Sequence, residues 1–227
     1  MGGVVTEMGP LSILVATTNR GKLAELGALL ADLPVKLLPL SVVLPDLSPI
    51  VEDGATFEAN ALIKARTASE AAMMVTLAED AGLEVDALGG RPGVRSARFA
   101  KEGATDSENN AALLEALSEV DDDQRAARFR CVLVLLDPWN ETTPEVICEG
   151  RCEGAITRQA RGAGGFGYDP LFVVSSEGRT MAELSDDEKN RISHRAQATR
   201  AMRPALLALI ESRRQTAARV APRGGAR

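Results

Sequence analysis

The segment that decides the fold class lies near the start of the chain and reads Ser12-Ile13-Leu14-Val15-Ala16-Thr17-Thr18-Asn19-Arg20-Gly21-Lys22. Its first five residues are mostly apolar and rich in branched side chains, which predicts a buried strand. Leucines then recur at helical spacing at Leu23, Leu26, Leu29 and Leu30, and this predicts a helix after a polar loop. A strand, a short polar loop and a helix in this order are typical of an α/β fold.

The polar loop, residues 17–22, is a candidate anion site. It offers two hydroxyls, an amide, a glycine and a lysine where a helix begins, and free N–H groups with the helix dipole favour negative charge there. The loop lacks the first glycine and the long glycine-rich arc of a Walker A motif. A phosphate site and an ordinary strand-to-helix turn therefore both stay open.

The rest of the chain continues this alternation without a long linker. Predicted strands cover residues 35–40, 75–78, 127–136 and 146–156, and predicted helices cover residues 56–73, 107–117, 186–191 and 195–213. We expect a single α/β domain at residues 12–212. It follows a flexible N-terminal extension, residues 1–11, and precedes a basic disordered tail, residues 213–227, which has five arginines and no apolar periodicity.

Composition limits the class of protein. The formal charge of −6 argues against general nucleic-acid binding, which needs a broadly basic surface, so no nucleic-acid partner is expected. The apolar runs are too short to span a bilayer, which predicts a soluble protein with no membrane partner. The three cysteines, Cys131, Cys148 and Cys152, have no paired metal spacing and follow no secretory leader. We expect reduced thiols in the cytoplasm, no disulfide and no zinc.

A cationic segment, residues 185–195, contains Lys189, the only histidine His194, and Arg195. Ser185 and Glu188 have the spacing of a capping box, so a helix is expected to begin here. Such a face suits a polyphosphate, but a solvated basic helix surface explains the same residues when the segment is taken alone.

A glycine-rich segment, residues 162–167, matches the letters of a dinucleotide-binding motif but lies late in the chain and leads into Asp169-Pro170 instead of a helix. We interpret it as a loop that approaches a ligand closely. Phe166 and Tyr168 would offer aromatic faces to a planar base, in a chain with only 3% aromatic residues. A purely structural turn is the alternative.

Two acidic pairs, Glu52-Asp53 and Glu79-Asp80, supply the hard oxygen ligands that suit Mg²⁺ bound to a polyphosphate. Either pair could instead be a solvated surface loop. Glu79 and Asp80 follow directly after the short apolar strand predicted at residues 75–78, so we expect them to face a cleft at the end of that strand.

Five segments, which occur in the same order along the chain as the motifs of the family, together resemble the Ham1/RdgB family of inosine triphosphate pyrophosphatases. They are residues 17–22, Thr56-Phe57-Glu58-Ala59-Asn60-Ala61, residues 82–90, Gly165-Phe166-Gly167-Tyr168-Asp169-Pro170 and Ser193-His194-Arg195. The resemblance covers residues 13–210 and leaves out only the two ends.

The resemblance implies an elongated mixed β-sheet with flanking helices, in two lobes around a central cleft, and a homodimer. It implies Mg²⁺-dependent attack of water at the α-phosphorus of ITP, dITP, XTP and dXTP, which gives a nucleoside monophosphate and pyrophosphate. Such an enzyme removes non-canonical purine nucleotides from the cytoplasmic pool.

The resemblance also implies roles for individual residues. Asp80 would act as the catalytic base or as a metal ligand, and Glu52 and Glu79 of the acidic pairs above are the further candidate metal ligands. The remaining positions would bind substrate: Thr17, Thr18, Asn19, Arg20, Gly21, Lys22, Lys64, Ala81, Phe166, Gly167, Tyr168, Asp169, Lys189, His194 and Arg195.

Two positions depart from the family's pattern. Many bacterial relatives have Ala-Asp-Asp-Ser-Gly-Leu where this chain has Ala78-Glu79-Asp80-Ala81-Gly82-Leu83. The acid at Glu79 is one methylene longer, and Ala81 lacks a hydroxyl. These changes leave a second hypothesis open, namely a regulator that binds nucleotides but has lost hydrolysis. A nucleic-acid-binding protein led by the arginine tail is a third hypothesis, and the overall negative charge argues against it.

Overall fold

A computed structural model describes residues 9–220 and contains one six-stranded sheet in the order β2-β1-β3-β4-β5-β6. The strands are β1 (Leu11–Val15), β2 (Val35–Pro39), β3 (Thr76–Val85), β4 (Ala126–Leu136), β5 (Glu145–Ile156) and β6 (Phe172–Val174). β1 runs parallel to β2 and β3, whereas the pairs from β3 to β6 are antiparallel. The expected mixed α/β sheet is confirmed.

Helices flank this sheet on both faces. They are α1 (Arg20–Leu29), α2 (Leu40–Val43), α3 (Phe57–Ala72), α4 (Asp106–Ala116), α5 (Asp186–Ile192) and α6 (His194–Val220). Leu26 of α1 and Met202 of α6 pack on one face in a cluster with Leu77 and Leu133. Phe57 of α3 packs on the opposite face with Ala78 and other strand residues. Alternate residues of the central strands therefore pack against helices on opposite faces of the sheet.

The far part of the sheet carries a separate core that forms the second lobe. Leu83 and Phe129, on β3 and β4, pack there against Leu113 of α4 and against the segment that contains Leu171 and Phe172. The sheet runs through both lobes, so β3 and β4 connect the two cores. A cleft between the lobes has these strands as its floor.

β3 is much longer than the sequence pattern predicted. It was expected to end at residue 78, but it continues to Val85 because β4 pairs with it along its whole length, from Thr76 opposite Leu136 to Val85 opposite Ala127. Glu79 and Asp80 therefore lie inside a strand and not in a loop after it. β1, by contrast, pairs with β3 only as far as Leu77, so the loop after β1 begins beside these two acids.

The C-terminal helix also exceeds its predicted length. The disordered tail predicted from residue 213 is wrong for residues 213–220, which continue α6. Arg213 holds this turn against the β4–β5 loop, because Nη2 contacts both carboxylate oxygens of Asp137 at 2.5 and 2.6 Å and the guanidinium lies 5.1 Å from the centre of the Trp139 ring. The predicted extension lies outside the described residues up to residue 8, and so does the tail from residue 221. None of the helices in residues 9–220 has the length and apolar content needed to cross a bilayer.

Removal of residues 214–227 should change thermal stability little, because the side chains at 214–219 are exposed and make no core contact. We expect the summed loss to stay below about 1 kcal/mol, so the melting temperature should fall by no more than about 2 °C. Thermal unfolding followed by circular dichroism measures this, with Arg213→Ala as the comparison that loses both the Asp137 and Trp139 contacts. A larger loss from truncation than from Arg213→Ala would show that the described contacts do not anchor this end of the helix.

Candidate active site

The cleft between the two lobes has a volume of about 750 Å³, including the space open to solvent. α1 and α6 contribute one wall, and α4 with the loop that precedes β6 contributes the other. Most of the residues expected to bind substrate line this cleft: Asn19, Lys22, Ala81, Phe166, Gly167, Tyr168, Asp169, Lys189, His194 and Arg195.

The loop at residues 17–22 forms the N-terminal cap of α1 at the edge of the cleft. Asn19 Oδ1 accepts a hydrogen bond from the Lys22 N–H at 3.1 Å, and Thr17 Oγ1 accepts one from the Asn19 N–H at 3.2 Å. Gly21 lets the Phe166 ring lie against the loop, because a Cβ at this position would be 2.9 Å from the ring and would displace it. Thr18 and Arg20 are exposed. The loop thus places Lys22 and the open end of a helix beside the aromatic ring.

Arg195 is held by carboxylates on all three of its nitrogens. Its Nε and Nη2 donate to the two oxygens of Glu79 at 2.7 and 2.6 Å, and its Nη1 donates to Glu25. Burial opposes the charge, but the Glu79 carboxylate outweighs it and raises the pKa of Arg195. Burial likewise opposes ionisation of Glu79, yet the charges of Arg195 and Lys22 keep its pKa well below the ordinary value. Both groups are therefore ionised at neutral pH.

Lys189 occupies a similar position between two acids. Its Nζ donates to Asp169 Oδ2 at 2.9 Å and to Glu25 Oε1 at 3.0 Å. The same Asp169 oxygen accepts the Phe166 N–H at 3.1 Å. Burial raises the pKa of Asp169, and the neighbouring Lys189 opposes that rise. The lysine expected to neutralise a phosphate is thus tied to the loop expected to contact the base.

Glu25 is a site residue that sequence reasoning missed. It lies three residues after Lys22 in α1, a spacing that puts both side chains on one face of the helix, and this spacing is the signal that could have found it. Its carboxylate joins Lys189 to Arg195. Three cations, Lys22, Lys189 and Arg195, are thereby balanced by Glu25, Glu79 and Asp169. An entering polyphosphate would compete with carboxylates for these cations.

His194 begins α6 inside the cleft wall and is 7% exposed. Its ring stacks on Phe129, with centroids 4.8 Å apart and planes inclined by 16°. Burial, followed by the positive charge of Arg195, lowers its pKa well below the ordinary value, so the imidazole is neutral at pH 7. Its Nδ1 is buried and makes no hydrogen bond within residues 9–220. A neutral imidazole carries one donor and one acceptor nitrogen, so a ring in the cleft wall can recognise a polar edge of a ligand.

A second cluster lies on the opposite face of β3, because Asp80 points away from its neighbour Glu79. Lys64 Nζ lies 2.7 Å from Asp80 Oδ1 and 2.8 Å from Glu52 Oε2. Asn60, one turn before Lys64 in α3, directs its amide at Asp80 Oδ2 at 3.3 Å. The shared helix face of Asn60 and Lys64 thus serves to hold Asp80.

The three acids expected as metal ligands are not brought together. Glu52 and Asp80 share one cation, the Lys64 ammonium, whereas Glu79 pairs with Arg195 across the strand. Within residues 9–220, no group of three or more His, Cys, Asp or Glu side chains is arranged to hold a metal ion. Burial raises the pKa of Asp80 against the opposing charge of Lys64. Two carboxylates that already share a cation suit a metal that takes its other ligands from substrate and water.

The two aromatic residues of the late loop differ in role. Phe166 is half-buried, and its ring centre lies 5.5 Å from Lys189 Nζ and 5.7 Å from Arg195 Cζ. Tyr168 belongs to the second core, where its hydroxyl donates to the Ser96 carbonyl at 2.8 Å. Burial raises the pKa of Tyr168. Phe166 is therefore the ring that is free to stack on a planar ligand, in contrast to the expectation that both would be.

Named relatives share close to half of their residues with this chain over most of its length. A dITP/XTP pyrophosphatase from Shigella flexneri is 48% identical over 194 residues, which cover 86% of this chain and 97% of that protein. Another from Coxiella burnetii is 48% identical over 189 residues, which cover 83% and 92%.

Solved structures show the same likeness. The Coxiella burnetii HAM1 structure superposes with a TM-score of 0.79 at 45% identity, over 87% of this chain and 99% of that one. The Staphylococcus aureus Ham1 protein gives 0.76 at 36% identity, over 87% and 98%. The Ham1 family model matches residues 13–205, which include the residues that line the cleft and the Asp80 cluster on the opposite face of β3. This chain therefore belongs to the Ham1 family.

Proposed function

We propose that this protein hydrolyses non-canonical purine nucleoside triphosphates, namely ITP, dITP, XTP and dXTP, to a nucleoside monophosphate and pyrophosphate. The enzyme class is that of its relatives, which are named dITP/XTP pyrophosphatases. One observation carries the proposal: Lys22, Lys189 and Arg195 converge beside the half-buried Phe166 ring in one cleft. A ligand that fits this cleft has an anionic part and a planar part, as a purine nucleotide does.

Binding would begin with an exchange of partners. The triphosphate would take over part of the hydrogen bonding that Glu25 and Asp169 supply to Lys189, and the N–H groups that open α1 would add further donors. The purine would stack on Phe166 and present its edge to the neutral His194. A 6-oxo group accepts hydrogen bonds, which an adenine amino group in the same place cannot do.

Asp80 is proposed as the general base. Its carboxylate would take the proton from the attacking water, and the burial that raises its pKa brings it closer to the pH at which it works. Lys64 and Asn60 fix the carboxylate from α3, so its free lone pairs point in a defined direction.

Mg²⁺ is proposed as the cofactor, held by Glu52 and Asp80 together with phosphate oxygens. Magnesium is often bound by one or two carboxylates and by the substrate's phosphates, which fits a pair of acids better than a complete protein cage. When bound, it would supply positive charge to the phosphate oxygens. Lys64 already shows that these two carboxylates can share one cation. Glu79, which we expected as a third ligand, is proposed instead to fix Arg195.

The alternative of a regulator without hydrolysis depended on Glu79 and Ala81. The longer side chain of Glu79 makes a two-point contact with Arg195, on the face of β3 opposite Asp80. Ala81 lies on the same face as Glu79. Both departures therefore lie away from the proposed base, which favours an active enzyme.

Homodimerisation and a cytoplasmic location are also proposed, on narrower grounds. The dimer rests on the resemblance to the family, and sedimentation of the purified protein tests it. The location rests on the proposed substrate, because free nucleoside triphosphates are made and used in that compartment.

The substrate class is tested with purified protein, Mg²⁺ and equal concentrations of ITP, dITP, XTP, ATP and GTP. We expect pyrophosphate release from the first three at least about tenfold faster than from ATP, since a lost hydrogen bond to the base is worth about that factor. GTP shares the 6-oxo group, so its exclusion must act at the 2-position. Equal turnover of GTP and ITP would contradict the proposed specificity.

A further inference from the structure

We infer that Asp106 and Asn110, on one face of α4, are positioning residues that hold the aromatic loop, residues 166–169, in the shape that presents Phe166 to the base. The inference deepens the proposed function and rests on it, because it concerns recognition in the same cleft. Neither residue is suggested by the sequence motifs, since both lie outside the five segments that resemble the family.

The two side chains form hydrogen bonds with the two backbone groups of the same residue, Gly167. Asp106 Oδ2 accepts the Gly167 N–H at 2.7 Å, and Asn110 Nδ2 donates to the Gly167 carbonyl at 3.0 Å. They are four residues apart in a helix and therefore share a face. The N–H belongs to the peptide shared with Phe166 and the carbonyl to the peptide shared with Tyr168. The pair thus fixes both peptide planes that flank Gly167.

These two hydrogen bonds restrain Gly167 in a backbone conformation on which the shape of the loop depends. Gly167 has a φ of 62°, in the left-handed region that glycine adopts without a steric penalty and other residues rarely do. This reversal turns Phe166 towards Lys189 and Arg195 while Tyr168 enters the second core. A glycine is also free to leave this conformation, so the two contacts from α4 add to the hydrogen bond between the Phe166 N–H and Asp169 in keeping the Phe166 ring in place.

The state of Asn110 indicates that its amide is needed for this contact. Its Oδ1 is buried and makes no hydrogen bond within residues 9–220. A flip of the amide would not relieve the problem, because it would bring Oδ1 against the Gly167 carbonyl. The residue keeps an unpaired acceptor so that its donor can reach the loop. A residue that served only helix stability would not need this arrangement.

α4 is anchored well enough to act as a fixed support. Asn109 Nδ2 donates to the Ala97 carbonyl at 3.2 Å, and its Oδ1 accepts the Ala100 N–H at 3.0 Å. The neighbouring Ser96 carbonyl in turn accepts the Tyr168 hydroxyl. The helix, the segment at residues 96–100 and the aromatic loop therefore form one connected wall of the cleft.

The test is a mutant cycle on the KM for ITP that combines Asp106→Ala with Phe166→Ala. We expect Asp106→Ala alone to raise KM about tenfold with kcat changed less than about threefold, because a hydrogen bond to a charged acceptor is lost and the ring is released. In the Phe166→Ala background the same substitution should change KM less than about twofold. Asp106→Asn keeps an acceptor oxygen and should restore most of the loss, and Ser107→Ala, an exposed neighbour in α4, serves as the matched control.

An equal rise in KM in both backgrounds, or no rise at all, would overturn the inference. If Asp106→Ala lacks a cooperative unfolding transition, Asn110→Ala is put through the same cycle, and failure of both variants to fold would also overturn it by showing a purely structural role. Turnover of ITP by the unmodified protein is measured first. If the unmodified protein does not turn over ITP, the proposed function is refuted, whereas the hydrogen bonds from Asp106 and Asn110 to Gly167 are not.

Discussion

Asp80→Asn lowers kcat for ITP by about two to four decades and leaves nucleotide binding nearly intact, if Asp80 is the general base. An amide is nearly the same size but cannot take a proton from water. The fold should tolerate the change, because Lys64 keeps Glu52 as a partner and Asn60 keeps its bond from Gly54 to Oδ1. Steady-state kinetics and a binding titration with a non-hydrolysable analogue separate the two effects.

The matched control is Asp53→Asn, an exposed acid next to Glu52, which should retain wild-type turnover. Near wild-type turnover of Asp80→Asn would mean that another acid, Glu52 or Glu79, is the base. Comparable loss in both variants would point to the summed negative charge of the cleft and not to one carboxylate.

Arg195→Met is expected to cost about 3–5 kcal/mol in the free energy of unfolding, because it removes the two-point contact to the buried Glu79 and leaves that carboxylate only the Lys22 ammonium at 3.3 Å. Arg195 and Glu79 are each only 2% exposed, so water cannot compensate. Urea denaturation measures the loss. The double substitution Arg195→Met with Glu79→Gln should recover part of it, since it removes the buried carboxylate charge as well.

Arg203→Met supplies the control on the same helix. Arg203 pairs with Asp32, and their side chains are 29% and 66% exposed, so loss of this pair should cost about 1 kcal/mol or less. Equal destabilisation by the two substitutions would contradict the claim that the buried Arg195 ion pairs matter more for stability than an exposed pair on the same helix. Full stability of Arg195→Met would do the same.

The fold was predictable from sequence where local pattern and tertiary structure agree. The strand, loop and helix at residues 12–30 and the two long strands β4 and β5 follow directly from periodicity and turn residues. The full length of β3 was not predicted because the acids Glu79 and Asp80 and the glycine Gly82 interrupt the apolar pattern at the start of its second half. Those acids are tolerated in a strand because each has a buried cationic partner, Arg195 for Glu79 and Lys64 for Asp80, which lie far away in sequence.

The same limit applies to the site. Sequence motifs suggested which residues belong near the ligand but could not divide them between the two faces of β3. Glu79 and Asp80 were treated as one acidic pair, although the alternation of a strand sends them to different clusters. Glu25 and Asp106 were missed because each acts through residues distant in sequence, Arg195 and Gly167. Such partners become visible only when the chain is folded.

The most direct test of the central claim is a single turnover of ITP in ¹⁸O-labelled water with Mg²⁺ and product analysis by mass spectrometry. If Asp80 directs water to the α-phosphorus, the label appears in IMP and the pyrophosphate stays unlabelled. Label in pyrophosphate would place the attack on the β-phosphorus, and formation of IDP with inorganic phosphate would place the cleavage between the β- and γ-phosphates. Either result would contradict the proposed pyrophosphohydrolase.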